Sequence, residues 1–125
     1  MSNNSNQIES NTYETIELCP KLQRKQPIYI EEIVWLEGLG NYTMIYFRNG
    51  QKILTSKTLG LFDQQLPKEI FMRVNRSYVV RLHEVSLTQT STKALQIILP
   101  NGPMVEVSRR KKRIVRQFFK LNLSK

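Results

Sequence analysis

Five consecutive bases, Arg109-Arg110-Lys111-Lys112-Arg113, are the residues whose type and spacing point most directly at a chemical role. Ser108 before them is a residue type favoured at a helix N-cap. After them Ile114, Val115, Phe118 and Phe119 recur as i, i+1, i+4 and i+5, which predicts a C-terminal helix with one apolar stripe and a strongly basic opposite face. From Arg109 to Lys125 there are eight bases and no acid. Cations in a first helical turn oppose the helix dipole at a cost of about 0.3–1 kcal/mol each. Stability alone does not place them there. A helix start ringed by Arg and Lys, with backbone N–H groups to offer, is suited to gripping a phosphate. The rival reading is a solvated helix face. The dipole argument favours contact with a nucleic-acid backbone for most of the run.

A second basic set, Arg73, Arg76 and Arg81, brackets the apolar stretch Tyr78–Val80. One or more of these serves structure. A loop-borne arginine is also the side chain that pairs bidentately with guanine O6 and N7 in the major groove. The turn Gly38-Leu39-Gly40-Asn41-Tyr42 offers flexible backbone and an amide able to bond adenine or phosphate; an ordinary turn is the equal alternative. Catalytic constellations are poor. His83, the only histidine, lies beside Glu84 in a strand-like stretch and reads as a surface or packed residue. No nucleophile-base signature, metal-ligand spacing, phosphate-binding glycine loop or dinucleotide fingerprint is present, so the chain reads as neither an enzyme nor a cofactor binder.

Most of the elements that must position these residues are β. Strands are expected at Glu32–Glu37, Tyr42–Arg48 and Lys52–Thr55, the last two joined by Asn49-Gly50, the strongest short hairpin signal. Both alternating faces of Tyr42–Phe47 are largely apolar, which predicts a central strand covered on both sides. Leu59, Phe62 and Leu66 at helical spacing before Pro67 predict about two turns of helix, weakened by Gly60. Ser77–Leu82, Val85–Thr90 and Ala94–Leu99 read as strands, and Asn101-Gly102 turns the chain into Val105–Val107. Antiparallel pairing of sequence neighbours is the natural expectation.

The chain has 125 residues, enough for one domain with a core. Its net charge of +9 favours polyanionic partners, nucleic acid first and an anionic membrane surface second. Residues 1–26 carry three acids and three bases, so the excess belongs to residues 27–125, which form the expected domain behind a flexible N-terminal tail. A single cysteine, Cys19, allows no intramolecular disulfide and suits a reducing cytoplasm. No signal-peptide pattern and no apolar run of membrane-spanning length is visible.

The order Leu36-Glu37, Asn41-Tyr42, then Phe71-Met72-Arg73-Val74-Asn75-Arg76-Ser77-Tyr78-Val79-Val80, and lastly Val107-Ser108-Arg109 before a basic helix, resembles the LytTR DNA-binding domain of bacterial transcription regulators. The resemblance runs from about Ile28 to Phe119. It implies a mainly β fold, an elongated stack of small antiparallel sheets with short helices and a C-terminal basic helix, which places loops into successive major grooves on one face of bent DNA. Three family contact positions carry over by motif onto Asn41, Arg76 and Arg109. Tyr42 and Arg110 are added as their neighbours and Lys112 from the basic run. Many members have His at the position of Asn75 and Asn at that of Arg81, a departure that bears on base preference in the middle loop. Members commonly follow a receiver domain or a membrane segment, and neither fits before Pro27. The chain thus resembles a stand-alone regulator, controlled by a partner protein, its own abundance or its tail.

The expected function is sequence-specific binding of double-stranded DNA in the cytoplasm, with two copies on repeated half-sites. The alternative is a basic interaction module docking on an acidic partner or a membrane surface. Single-stranded RNA binding ranks third, because Tyr42, Tyr46, Phe47 and Tyr78 sit at positions that read mostly as core.

Overall fold

The computed structural model describes residues 15–16 and 28–123. Thr15–Ile16 (β1) pairs antiparallel with Ile28–Tyr29 (β2), so two residues of the stretch read as a tail are held in a ladder; the rest of that expectation lies outside the described residues. A 3-10 turn at Ile30–Glu32 leads into β3, Ile33–Leu39. Leu39 pairs with Tyr42 across a two-residue turn in which Gly40 takes φ +67°. That left-handed φ is open to glycine at little cost. β4, Tyr42–Phe47, returns to β5, Lys52–Thr55. The Asn49-Gly50 signal acts through a three-residue loop with Gly50 at φ +89°, closed by Phe47 N donating to Gln51 O at 2.9 Å.

The helix α1, Leu59–Gln65, buries Leu59, Phe62 and the following Leu66. Next comes a hairpin of β6, Phe71–Asn75, and β7, Tyr78–Arg81. Here the fold departs from the sequence reading. β6 was not expected as a strand, and the expected strand Ser77–Leu82 gives way at Leu82–Glu84 to a 3-10 turn. His83 therefore sits on that turn, with its ring edge-on to Phe118 at 5.0 Å between centroids. β7 pairs with β3, completing a five-stranded sheet of order β5-β4-β3-β7-β6.

β3 is consequently the central strand, in place of Tyr42–Phe47. Ile33, Val34, Trp35 and Leu36 are all buried, whereas β4 buries only Thr43 and Ile45, and Tyr42 is 51% exposed. The reason is topological: pairing with β7 moves the middle of the sheet one strand over. β4, one strand from the middle, is covered in part, with Ile45 and Phe47 packed into the core shared with α1 and Tyr46 against the other.

β8, Ser86–Gln89, β9, Leu95–Ile98, and β10, Met104–Glu106, form a second antiparallel sheet of order β10-β9-β8, each strand shorter than or slightly offset from its expected span. The Asn101-Gly102 turn seats on Trp35, and a Cβ at Gly102 would stand 2.7 Å from Trp35 Cζ2. A 3-10 turn, Arg109–Lys111, precedes the final helix α2, Lys112–Leu123. Ser108 occupies the N-cap position, but its side chain makes no capping bond; its N–H donates to Val74 O at 2.8 Å. The predicted stripe narrows to Val115 and Phe119, with Phe118 half-buried and Ile114 47% exposed.

The large sheet is thus covered on both faces. One core joins it to α1 through Ile33, Leu36, Ile45, Phe62, Phe71 and Val79. The other joins Trp35, Val74 and Val80 to Ile97, Val105, Val107, Val115 and Phe119 of the small sheet and α2. Burying side chains of this size stabilises by about 1.5–3 kcal/mol each, which fixes the strand ends that carry the candidate site.

Candidate nucleic-acid interface

Antiparallel pairing brings three chain reversals to one end of the large sheet. The β3–β4 turn carries Asn41, and the β6–β7 turn carries Arg76. Gly38 N donates to Ser77 O at 2.8 Å, which sets the two turns side by side. The junction between β10 and α2 is tied to the same end by Ser108 N to Val74 O and by Asn75 Nδ2, which donates to Glu106 O at 2.7 Å. Hairpin tip, middle turn and helix start form a row.

The middle turn is held from both sides. Asn75 Oδ1 accepts from Ser77 N at 2.8 Å and Tyr78 N at 3.0 Å, an Asx-type closure. Arg73 Nη2 donates to Arg76 O at 2.7 Å. Arg76 itself is exposed. Of the three arginines in the set, Arg76 alone is presented outward, while Arg73 clamps the turn. Arg81 is 8% exposed, donating from Nε to Ile33 O at 2.7 Å and from Nη2 to Ile30 O at 2.5 Å, with its guanidinium 4.7 Å from the Phe71 ring centroid. Burial first, then the nearby Arg48 charge, pushes that guanidinium below its usual range against the opposing pull of Glu84, Glu31 and Glu32. Arg81 is structural.

Arg76, Arg109 and Lys112 line one cleft of about 530 Å³ together with Asn75, Ser108 and Glu106. Asn41 and Tyr42 stand outside it on the neighbouring hairpin tip, both exposed, and Arg110 is exposed without lining the cleft. Tyr42, read as mostly core in weighing RNA binding, is a surface residue; Tyr46, Phe47 and Tyr78 are half-buried. Behind the row, Glu37 accepts from the Tyr46 hydroxyl at 3.2 Å and the Tyr78 hydroxyl at 3.1 Å, and Tyr46 stacks on Trp35 with centroids 3.6 Å apart. Burial, seconded by the Glu37 carboxylate, raises both phenols above their ordinary range. Sequence reasoning missed the latch at Asn75 and the clamp at Arg73. An Asn two residues before a polar Ser was the signal available for the first.

No helix among the described residues is long and apolar enough to cross a membrane, and no group of acids, His and Cys among them could hold a metal ion. No curated protein matches the chain. A solved LytTr DNA-binding domain from Bacillus cereus superposes with a TM-score of 0.66 at 19% identity, covering 84% of this chain and 95% of that one. The likeness extends the agreement to the fold: antiparallel sheets with few short helices. The LytTr DNA-binding domain family, a family of DNA binders and not of enzymes, matches residues 23–120, and this chain belongs to it.

Proposed function

We propose that this domain binds specific duplex DNA as a bacterial transcription regulator, with the loops at one end of the large sheet inserted into successive major grooves. One observation carries the reading: the residues picked out by motif, Asn41, Arg76 and Arg109, lie on three reversals that hydrogen bonds join into a single row. Arg76 is the base reader of the middle turn, held outward on a turn closed by Asn75 and Arg73. Arg109 and Lys112 line the same cleft beside it and meet base edges or phosphates as the helix start approaches the duplex. Asn41 offers an amide suited to adenine N6 and N7, with Tyr42 and Arg110 as flanking contacts.

Selection from a random duplex pool followed by mobility shift tests the reading. A preferred sequence emerges at physiological salt, and Arg76→Ala and Arg109→Ala each weaken it by about 1–3 kcal/mol while relaxing preference at their own positions. A pool that yields no sequence preferred over bulk DNA refutes specific binding. A uniform loss across sequences makes the arginine in question a phosphate contact. Two copies act on repeated half-sites in this reading, so a duplex with two half-sites takes up a second molecule that a single half-site does not.

A further inference from the structure

The small sheet also turns one of its ends toward the candidate interface. Glu106, which accepts from Asn75, pairs with Gln96, and Leu95 at the start of β9 pairs with Gln89 at the end of β8. The β8–β9 turn, residues 90–94, therefore projects from the same end of the molecule as Arg76 and Arg109. It is closed by its own bonds: Thr90 N to Ala94 O at 2.9 Å, Lys93 N to Thr90 O at 2.9 Å, and Ala94 N to Thr90 Oγ1 at 3.1 Å. Those bonds set Lys93 at φ +67°, exposed at the tip between Thr92 and Ala94.

Arg116 and Lys120 of α2 stand over Leu87, Gln89 and Leu95, where they line a shallow cleft of about 360 Å³ that has no acidic residue in its walls. At about 100° per residue, Lys112, Arg116 and Lys120 follow one another around a single side of α2, adjacent to the buried Val115 and Phe119. One basic helix face thus runs continuously from the cleft beside Arg76 to the cleft beside the β8–β9 turn.

We propose that the β8–β9 turn, through Lys93, and the outer half of α2, through Arg116 and Lys120, form a second contact that holds duplex phosphates flanking the sequence read by Asn41, Arg76 and Arg109. The inference rests on the DNA-binding reading above. The occupant is a polyanionic backbone because the surface offers ammonium and guanidinium groups with no acid among them and a threonine-rich turn, and the apolar floor of its cleft, Leu87 and Leu95, is shallow and bordered by Arg116 and Lys120. These contacts carry no sequence information; they add affinity and anchor the register.

The test compares the wild type, a triple variant Lys93→Asn, Arg116→Ala, Lys120→Ala, and Lys52→Ala as a charge control at the opposite end of the large sheet, where Lys52 pairs with Tyr46. Asn is chosen because it tolerates a left-handed φ. Binding to the selected duplex is measured against salt concentration. Each lost phosphate contact lowers the slope of log K against log salt by about 0.9, so the triple variant, which loses three, is shallower than the control by about 2.7. Its preference for selected over scrambled duplex stays within about twofold, since phosphate contacts weaken all sequences alike. Trimming the duplex flanks weakens the wild type and leaves the triple variant unaffected. If the triple variant does not fold, Lys93→Asn alone, on an exposed turn, lowers the slope by about 0.9. A slope equal to the control's, or a preference that falls along with affinity, overturns the second contact. A wild type that prefers no duplex overturns the DNA-binding reading itself, which keeps the two failures apart.

Discussion

Replacing Asn75 with Ala removes the side chain that joins the middle turn to the β10–α2 junction, two parts of the candidate interface, without changing the charge there. Three hydrogen bonds are lost: the one to Glu106 O at 2.7 Å and those from Ser77 N at 2.8 Å and Tyr78 N at 3.0 Å. A typical bond contributes about 0.5–1.5 kcal/mol net, and the turn is near enough to the surface for water to replace part of it, so about 2 kcal/mol of stability is lost in urea unfolding. Arg73 still holds Arg76 O, and the Ser108 N to Val74 O bond is intact, so the fold survives. What changes is the relative placement of Arg76 and Arg109. Mobility shifts on selected and scrambled duplex should show the specificity ratio falling about tenfold, equivalent to about 1.4 kcal/mol, while scrambled binding at low salt is unchanged. Asn75→Asp keeps the acceptor for Ser77 and Tyr78 and loses only the donor to Glu106, so it unfolds less readily than the Ala variant. Equal destabilisation by the two, or a ratio within twofold of wild type for Asn75→Ala while Arg76→Ala lowers it tenfold, refutes the latch.

Gly102→Ala drives a Cβ to 2.7 Å from Trp35 Cζ2 and 3.2 Å from Leu99 Cβ, so the β9–β10 turn lifts and urea stability falls by about 1–3 kcal/mol; an unchanged midpoint would mean that the turn moves freely off Trp35. Tyr46 and Tyr78 have phenols raised above 10.0, chiefly by burial. A raised folded-state value means that the native state binds more protons than the unfolded chain above about pH 10. Their contribution is therefore intact below that point and lost as pH climbs through the folded-state values. The double variant Tyr46→Phe, Tyr78→Phe shows a flatter decline of the urea midpoint between pH 9 and 11, and parallel declines would contradict the assignment. Arg110→Glu replaces an exposed cation in the turn that opens the last helix with a charge that suits the dipole, adding about 0.3–1 kcal/mol of stability while weakening DNA binding. Loss of both together would remove the dipole argument.

Local patterns made the hairpin at Asn49-Gly50, the helix at Leu59–Gln65 and the basic C-terminal helix legible, because each is written in turn chemistry or helical spacing within a dozen residues. β6 was hidden for a local reason. Its ladder with β7 shifts register between Arg73 and Asn75, and the bulge breaks the alternation that marks a strand. The pairing of β3 with β7 was hidden for a global one. Periodicity reports which face a residue takes and says nothing about which strand lies alongside, so Trp35 opposite Val80 could not be read from either segment. The same blindness left the two apolar faces of Tyr42–Phe47 looking equally covered. For the candidate site, motif order picked out Asn41, Arg76 and Arg109, and Ser108 with the apolar spacing after the basic run marked the helix start. Which of Arg73, Arg76 and Arg81 works structurally depends on where β7 runs, and that follows from the long-range pairing.

Segregation of charge sharpens this division of labour. The ion pairs Arg48–Glu84 and Lys68–Asp63 lie toward the end of the large sheet remote from the candidate interface, where strand β7 closes and α1 ends. Among the described residues, Arg76, Arg109, Arg110 and Lys112 enter no ion pair. Buried arginine is treated differently again: Arg81 is satisfied by the Ile30 and Ile33 carbonyls, and loss of its guanidinium would leave both without that donor. Arg73 extends the pattern, since the group it satisfies is the backbone carbonyl of Arg76. One arginine is thus spent on holding another in place. An end of the molecule that keeps its cations unpaired and its first helical turn positively charged bears a standing repulsion. In the proposed DNA-bound arrangement, phosphates entering the row between Asn41 and Lys112 would offset that repulsion and release their counterions, so that the feature that weakens the free domain would strengthen the bound one.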